Sequence, residues 1–360
     1  MLRLNNISLL QFKNYPGAPF LFTERVVGIC GKNGIGKTNL LDAIYYTCFT
    51  KSYFTKTDIQ NVRTGTQGFR IEAGYTRNQQ SDSVECIVRE NGKKELLLNG
   101  TPYTKFSEHI GRFPCVMIAP DDIQIITDGS EERRRFLDAL ISQVDHGYLL
   151  QLISYNKILQ QRNSLLRQFA ESGRSDHNLM DVINEQLSKP GNQIYQTRKK
   201  VLKEFVPMAQ TLYQQISGES YDVKVEYESQ LHHASYETLL FEFSEKDLFL
   251  QRTSAGIHKD DLAVTLDGNP FKTLASQGQK KSLLFAFKLA EFEYLKQHGG
   301  FPPLLLLDDI FEKLDEFRMQ NLLQSVCVQN DGQIFITDTH CDRLHTHLHK
   351  LSVPFQLIRL

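Results

Sequence analysis

The sequence lacks several features that would indicate a class of protein at once. Its six cysteines form no C-x-x-C pair, so we expect neither a zinc knuckle nor a disulfide framework, and reduced thiols in a cytoplasmic protein fit best. No stretch approaches the ~18 apolar residues of a membrane span, and the amino terminus lacks a signal-peptide pattern. The chain also has almost no net charge, because it contains 41 basic and 42 acidic residues. Any binding of nucleic acid must therefore come from a local basic patch.

The length and patterning predict two parts. A chain of 360 residues suggests two domains, or one large α/β domain with an insertion. From about residue 130, apolar residues recur at three-four spacing, and the pattern resumes after a polar tip at 171–178, which predicts a helical hairpin. We therefore predict an α/β head formed by residues 1–124 and 251–360, and a helical arm at 125–250.

Two details of the predicted hairpin concern its returning helix. Pro190 and Gly191 should kink or interrupt that helix. Arg162 and Arg198 lie on the apolar stripes, where we expect their stems to run along the seam and their charged ends to reach water. Arg198 and its basic neighbours are also candidates for contact with DNA, although a solvated face is the usual explanation of such a run.

The strongest motif is a complete G-x-x-x-x-G-K-[ST] string between a predicted strand and a predicted helix. Its glycines let backbone N–H groups point at phosphate oxygens, and the helix start adds its positive dipole end. Lys37 would contact the β- and γ-phosphates, and the Thr38 hydroxyl would be a Mg²⁺ ligand. The predicted phosphate-binding residues are Gly31, Lys32, Asn33, Gly34, Ile35, Gly36, Lys37 and Thr38.

A second motif supplies the acids that such a loop needs. The apolar strand at 304–307 ends in Asp308 and Asp309, and ligands of open parallel sheets bind beyond the carboxyl ends of strands. We assign Asp308 to Mg²⁺, and Asp309, with Lys37, to catalysis, Asp309 orienting the attacking water. Two acids after a strand can also serve only as the cap of the next helix.

A third string, Ser276 to Gln279, precedes an apolar helix and offers a hydroxyl and helix-start N–H groups to an anion. Alone it would be an ordinary helix cap. In the order found here, the P-loop, helical insertion, Ser-x-Gly-Gln string and acid-ended strand resemble the ABC-type ATPase head of the structural-maintenance-of-chromosomes class.

The short arm narrows the resemblance to the RecF family. The resemblance is carried by Phe12-Lys13-Asn14-Tyr15, by 36–44, by 133–138 and by 307–311. It implies an ABC-type P-loop head built from both chain ends with an inserted helical hairpin arm. The family's Gly-Pro-His-Arg-Asp-Asp string reads Gly256 to Asp261 here, with Lys259 in place of arginine.

The resemblance also implies a site and a mechanism. ATP and Mg²⁺ would be the cofactors, with Lys13 and Asn14 on the base or ribose side. Ser276, Gly278 and Gln279 would bind the γ-phosphate held by a second protomer, so that ATP is sandwiched in a homodimer. The loop at 314–315 would cross that dimer interface.

The implied function is binding to DNA, independent of sequence, near single-strand gaps. Such a protein would act in DNA replication, recombinational repair and SOS induction, with weak DNA-dependent ATP hydrolysis, beside the mediator proteins RecO and RecR, in the cytoplasm and without a membrane partner. One alternative is the nucleotide-binding subunit of a membrane transporter, against which the helical arm argues. Another is a scaffold that binds ATP without hydrolysing it.

Overall fold

The computed structural model describes residues 1–173, 176–218, 223–312 and 316–360. The strands in these ranges are β1 Leu2–Phe12, β2 Tyr15–Leu21, β3 Val26–Cys30, β4 Phe69–Arg77, β5 Gln80–Val88, β6 Lys94–Leu98, β7 Thr101–Pro102, β8 Cys115–Ile118, β9 Val223–Glu228, β10 Asp261–Leu266, β11 Asn269–Pro270, β12 Leu304–Leu307, β13 Ile334–Asp338 and β14 Phe355–Arg359. The α-helices are α1 Lys37–Phe49, α2 Gln124–Thr127, α3 Ser130–Val144, α4 His146–Ser172, α5 His177–Ser217, α6 Tyr236–Glu242, α7 Ser244–Leu250, α8 Phe271–Leu274, α9 Gln277–Gly299, α10 Glu316–Leu323 and α11 Cys341–Lys350.

The chain divides into two compact units. The head unit contains residues 1–123, 212–218 and 277–360, and the inserted unit contains 124–211 and 219–276. The first boundary lies within one residue of the predicted one. The second differs, because β10 pairs along its whole length with β9 and so holds the segment after residue 250 in the inserted unit.

A five-stranded parallel sheet forms the centre of the head unit, in the order β14-β3-β13-β12-β8. The residues of β3, β8, β12 and β13 are buried throughout, as expected for parallel strands covered on both faces. Helix α1 packs on this sheet with nearly all of its side chains buried. This is the α/β head that the sequence predicts.

An antiparallel sheet of six strands completes the head unit, in the order β2-β1-β4-β5-β6-β7. Alternate residues of β1, β4 and β5 are buried, so each strand turns one face to the core. The Asn99-Gly100 dipeptide forms the turn between β6 and β7, and both residues have positive φ.

The expectation that every cysteine is unpaired was wrong for two of the six. Cys30, at the end of β3, forms a disulfide with Cys341 at the start of α11, with the two Cα atoms 5.1 Å apart. The two cysteines are 311 positions apart in the sequence, so no local sequence pattern predicts their pairing. The parallel pairing of β3 with β13 brings them together. The other four cysteines are free and buried.

Two long helices dominate the inserted unit, and side-chain hydrogen bonds join them as an antiparallel pair. Arg162 of α4 donates from Nε to Asn184 of α5 (2.8 Å), and Arg198 of α5 donates from Nε to the Tyr148 hydroxyl of α4 (3.0 Å). Helix α5 continues through Pro190 without an interruption. The predicted interruption was therefore wrong. The predicted tip includes residues 174 and 175, which lie outside the described residues.

The two arginines on the apolar stripes are buried, with 1% of each side chain exposed. Arg162 pairs with Asp247 (2.6 Å), whereas Arg198 pairs with Asp138 (2.8 Å) and Asp260 (2.9 Å). The expectation that their charged ends reach water was wrong, and Arg198 is not available to DNA. A buried charge requires a partner of opposite charge, and these partners come from distant segments of the chain.

Among the described residues, no helix combines the length and the apolar character that a membrane span requires.

A buried acid in the head unit gives a test of the fold. Glu291 of α9 lies 3.7 Å from the Lys288 ammonium, which is also 3.7 Å from Asp122, and burial raises the pKa of Glu291 to about 7. The folded protein therefore keeps a proton that the unfolded chain releases near pH 4.5. We expect stability to fall as pH rises from about 4.5 to 7, by at most about 3 kcal/mol from this group.

Replacing Glu291 with glutamine should remove this part of the pH dependence and raise the melting temperature at pH 8 more than at pH 5. Thermal unfolding followed by circular dichroism across that range would measure it. Glu90→Gln, at an exposed turn, is the matched control and should leave the profile unchanged. A profile for Glu291→Gln that runs parallel to that of the unmodified protein would contradict the assignment.

Candidate nucleotide and metal site

Three parallel strands bring the predicted site residues to one edge of the five-stranded sheet. Cys30, the last residue of β3, is in register with Asp338 at the end of β13, and Leu307 at the end of β12 is in register with Ile336. The carboxyl ends of these strands therefore share one edge. The P-loop leaves β3 there, and Asp308 follows β12 at the same edge.

The last glycine of the P-loop is held from outside by the turn between β1 and β2. Gly36 has a φ of +121°, and a Cβ atom on it would lie only 2.7 Å from Nδ2 of Asn14. That Nδ2 donates to the carbonyl of Ile35 (2.7 Å), and the Tyr15 hydroxyl donates to the carbonyl of Gly36 (3.0 Å). The loop thus enters α1 in a fixed conformation that only glycine adopts without strain.

Lys37 places its ammonium group inside the loop. Its Nζ donates to the carbonyl oxygens of Gly31 (2.8 Å) and Lys32 (3.1 Å), and the residue is only 6% exposed. The intervening loop residues 32–35 are exposed. The positive charge is therefore centred in a loop whose rim is open, which is the arrangement that phosphate binding requires.

Thr38 and Asp308 lie in hydrogen-bond contact. The Thr38 hydroxyl is 2.9 Å from Oδ2 and 3.1 Å from Oδ1 of Asp308. Burial raises the pKa of Asp308, while hydrogen bonds from Thr337 and Thr38 lower it. A hydroxyl beside a carboxylate is the pair of oxygen ligands by which P-loop proteins hold Mg²⁺.

The rest of a Mg²⁺ shell would come from phosphate oxygens and water rather than from the chain. Among the described residues, no group of three or more His, Cys, Asp or Glu could hold a metal ion. The Thr38 hydroxyl and the Asp308 carboxylate supply the one or two protein oxygens that Mg²⁺ takes, and its other positions are kept for phosphate and water. The residues present therefore fit the predicted ion.

Sequence reasoning missed Thr337 of β13, which joins the two predicted acids. Its hydroxyl donates to Oδ1 of Asp308 (2.8 Å) and accepts from the backbone N–H of Asp309 (2.9 Å). Asp309 has a φ of +52°, so its backbone turns sharply away from β12. The only signal in the sequence is a polar residue after the apolar pair Phe335-Ile336.

The structure places Lys13 and Asn14 beside the P-loop, with defined protein partners. Lys13 forms an ion pair with buried Asp42 of α1 (Nζ to Oδ2, 2.5 Å), and Asp42 also accepts from the Ser52 hydroxyl and the Tyr53 N–H, each at 2.7 Å. Asn14 braces the loop as described above. Both residues therefore support α1 and the loop, whatever further contact with a nucleotide they make.

The Ser-x-Gly-Gln string lies at the start of α9. Ser276 is exposed and directly precedes the helix, and Gln279 is buried in its first turn. A Cβ atom on Gly278 would lie 2.6 Å from Nη1 of Arg318, so the α10 arginine passes close to this turn. The loop at 314–315, predicted to cross a dimer interface, lies outside the described residues.

A cavity connects the start of α9 with the acid at the sheet edge. It has a volume of about 160 Å³, and its lining includes Gln277 and Lys281 of α9, Ala119 after β8, and Asp308. Gln277 and Lys281, at the start of α9, and the predicted metal ligand Asp308 thus flank one space in the head unit.

Comparisons with known proteins agree with this geometry. The family model described as RecF/RecN/SMC N terminal domain matches residues 3–355. A protein of Flavobacterium johnsoniae named "DNA replication and repair protein RecF" is 44% identical over 359 residues, which is 100% of both chains. One of the same name from Cytophaga hutchinsonii is 42% identical over 94% of this chain and 90% of its own.

Solved structures give the same result. The recombination mediator protein RecF with ATP, described as part of the RecFOR pathway, superposes with a TM-score of 0.87 at 29% identity, over 94% of this chain and 92% of its own. An Smc head domain from Pyrococcus furiosus, at 14% identity and a TM-score of 0.55, shares the fold alone. With the family model covering nearly all of the chain and relatives above 40% identity, the chain belongs to the RecF family of P-loop ATPases.

Proposed function

We propose that this chain binds ATP with Mg²⁺ and acts in DNA replication and recombinational repair, binding DNA as an ATP-sandwiched dimer. The observation that carries the proposal is the contact of the Thr38 hydroxyl with Asp308, beside the buried ammonium of Lys37. The names of the relatives and the ATP-bound RecF structure support it. Gap repair and SOS induction are the processes in which such a protein would work.

The residues of the site divide the chemistry among them. Backbone N–H groups of the loop and the Lys37 ammonium would bind the phosphates, and Thr38 with Asp308 would hold Mg²⁺. When bound, Mg²⁺ neutralises charge on the β- and γ-phosphate oxygens. The Asp309 carboxylate would orient the attacking water, and the Thr337 hydroxyl fixes the backbone from which that carboxylate extends.

A second copy of the chain would complete the site. The exposed Ser276, with Gly278 and Gln279, would bind the γ-phosphate held by the partner, so that ATP itself holds the dimer together. P-loop hydrolysis gains most of its rate when a second element closes the site. We therefore propose weak, DNA-dependent hydrolysis, with ATP acting mainly as a switch of dimerisation.

The proposed ligand is the DNA backbone near a single-strand gap. The sequence contains no zinc finger or basic zipper that could read bases, so contact with phosphates should dominate and should weaken steeply with salt. RecO and RecR are the proposed partners, and the bacterial cytoplasm is the proposed location.

The first experiment measures binding of labelled gapped duplex at two salt concentrations, with ATP, with ADP, and with ATP plus the variant Ser276→Arg. Light scattering reports the mass of each complex. We expect ATP alone to give a DNA-bound dimer, and Ser276→Arg to abolish it, because a long cationic side chain would fill the space of the partner's γ-phosphate.

Gln168→Arg is the matched control, since it adds the same charge at an exposed position of α4. This variant should still form the dimer. DNA binding that is equal in every nucleotide state would contradict the switch, and a complete absence of DNA binding would favour a transporter subunit or a scaffold. ATP binding without any measurable hydrolysis, with or without DNA, would identify a scaffold.

Thr337 gives a second prediction for the same site. Thr337→Val removes both hydrogen bonds to the acid pair and keeps the side-chain volume. Supporting groups of this kind typically contribute 10- to 100-fold in metal affinity, so we expect the Mg²⁺ concentration for half-maximal hydrolysis to rise roughly tenfold or more. ATP affinity measured in a chelator should not change.

Thr337→Ser keeps the hydroxyl and should restore the Mg²⁺ dependence of the unmodified protein. Mg²⁺ titrations of hydrolysis and of fluorescent-nucleotide binding would measure both variants. Equal defects in the valine and serine variants would show that packing of the methyl group, rather than the hydroxyl, matters at this position.

A further inference from the structure

The acids at the centre of the inserted unit are already paired. Asp247 is paired with Arg162, as described above. A second buried acid, Asp260, is paired with Arg198. Asp261 is paired with Arg133 (Nε to Oδ1, 2.6 Å). The charges of these carboxylates are therefore compensated from within the unit.

Three further cations, Arg134, Arg252 and Lys259, lie around these pairs. The Arg134 guanidinium donates from Nη1 to the carbonyl of Asp260 (2.6 Å), which places it one residue from Lys259. The ring of His258 lies 3.1 Å (Nε2) from the carbonyl of Thr253. Arg252 precedes Thr253 and Lys259 follows His258 in the chain. The contact between His258 and Thr253 therefore brings the backbones of Arg252 and Lys259 together.

None of these three cations forms an ion pair with a residue in the described part of the chain. Partial burial and the neighbouring charges of Arg252 and Arg134 lower the pKa of Lys259. Burial and the charge of Arg198 lower the pKa of Arg134, against the opposite effect of the nearby Asp261, Asp260 and Glu131 carboxylates. Lys259 is thus repelled by Arg252 and Arg134, and an anion beside it would relieve that repulsion.

The loop that carries Lys259 is held rigidly. Gly256 has a φ of +126°, and a Cβ atom on it would overlap the Tyr236 hydroxyl at 2.1 Å, so the loop requires glycine here. Nδ1 of His258 lies 2.7 Å from the Tyr155 hydroxyl, which in turn lies 2.7 Å from that of Tyr236. A rigid loop loses little conformational entropy when its side chains bind a ligand.

We propose that Arg134, Arg252 and Lys259 form a phosphate-binding site of the inserted unit, and that its ligand is the backbone of DNA. The proposal rests on the DNA binding proposed above and names residues that would carry it. Arg252 and Lys259 are exposed. An open cationic surface suits a polyanion, whereas a free phosphate or nucleotide is usually held in a concave pocket.

The test uses the full-length double variant Arg252→Gln/Lys259→Gln, which leaves the partly buried Arg134 in place. With ATP and gapped duplex, we expect affinity to fall roughly tenfold or more at low salt, and the slope of log affinity against log salt to become shallower by about 2. ATP binding, and dimer formation measured without DNA, should stay unchanged.

The matched control is Lys157→Gln/Arg167→Gln, which removes the same two charges from exposed positions of α4 in the same unit. It should lower affinity and slope less than the test variant. Equal effects of the two variants would overturn the site and leave the proposed function standing. If the unmodified protein binds DNA in no nucleotide state, both the site and the proposed function are overturned.

Two further arms identify the chemistry. Lys259→Arg should bind DNA at least as tightly as the unmodified protein, because guanidinium donates to phosphate through two parallel N–H groups. Weaker DNA binding by this variant would overturn the assignment of Lys259. Inorganic phosphate, compared with chloride at equal ionic strength, should not compete specifically with DNA; strong competition would show that the site takes free phosphate instead.

Discussion

Parallel pairing of β3, β13 and β12 is the constraint on which the site depends. Each strand is buried on both faces, and its register is set by its pairing with the neighbouring strands. The P-loop, the Thr337 hydroxyl and the Asp308 carboxylate follow from that register, because each stands where one of the three strands ends. A shift of one residue in β13 would separate Thr337 from both acids that it joins.

The sequence predicts those parts of this site whose residues lie together in one short sequence motif. The P-loop combines glycine, lysine and threonine at fixed spacing, and the acid pair ends an apolar run, so each motif indicates its role without knowledge of its neighbours. The α/β head and the helical hairpin were predicted for a similar reason, since periodicity is also a local property.

The parts that were missed depend on contacts between distant segments. In the sequence Thr337 looks like any other strand residue. Its role depends on the pairing of β13 with β12, which brings its hydroxyl to Asp308 and Asp309. The Cys30–Cys341 disulfide and the bracing of the P-loop by Asn14 likewise follow from tertiary structure. The clearest case is Arg198, whose position on an apolar stripe indicated a snorkelling side chain. Its partners, Asp138 and Asp260, come from other elements, and local periodicity carries no information about them.

The segment from Gly256 to Asp261 links the stability of the inserted unit to its surface charge. Its two aspartates accept from buried arginines, and removing one partner of such a pair typically costs about 3–5 kcal/mol, because the other charge stays buried. The backbone is therefore fixed by contacts that are unrelated to binding, while Lys259 on the same turn remains exposed. Substitutions of Asp260 or Asp261 would consequently destabilise the unit as well as alter its charge, and would not separate folding from ligand binding. Neutralising the exposed cations separates the two roles, since those side chains hold no buried charge in place.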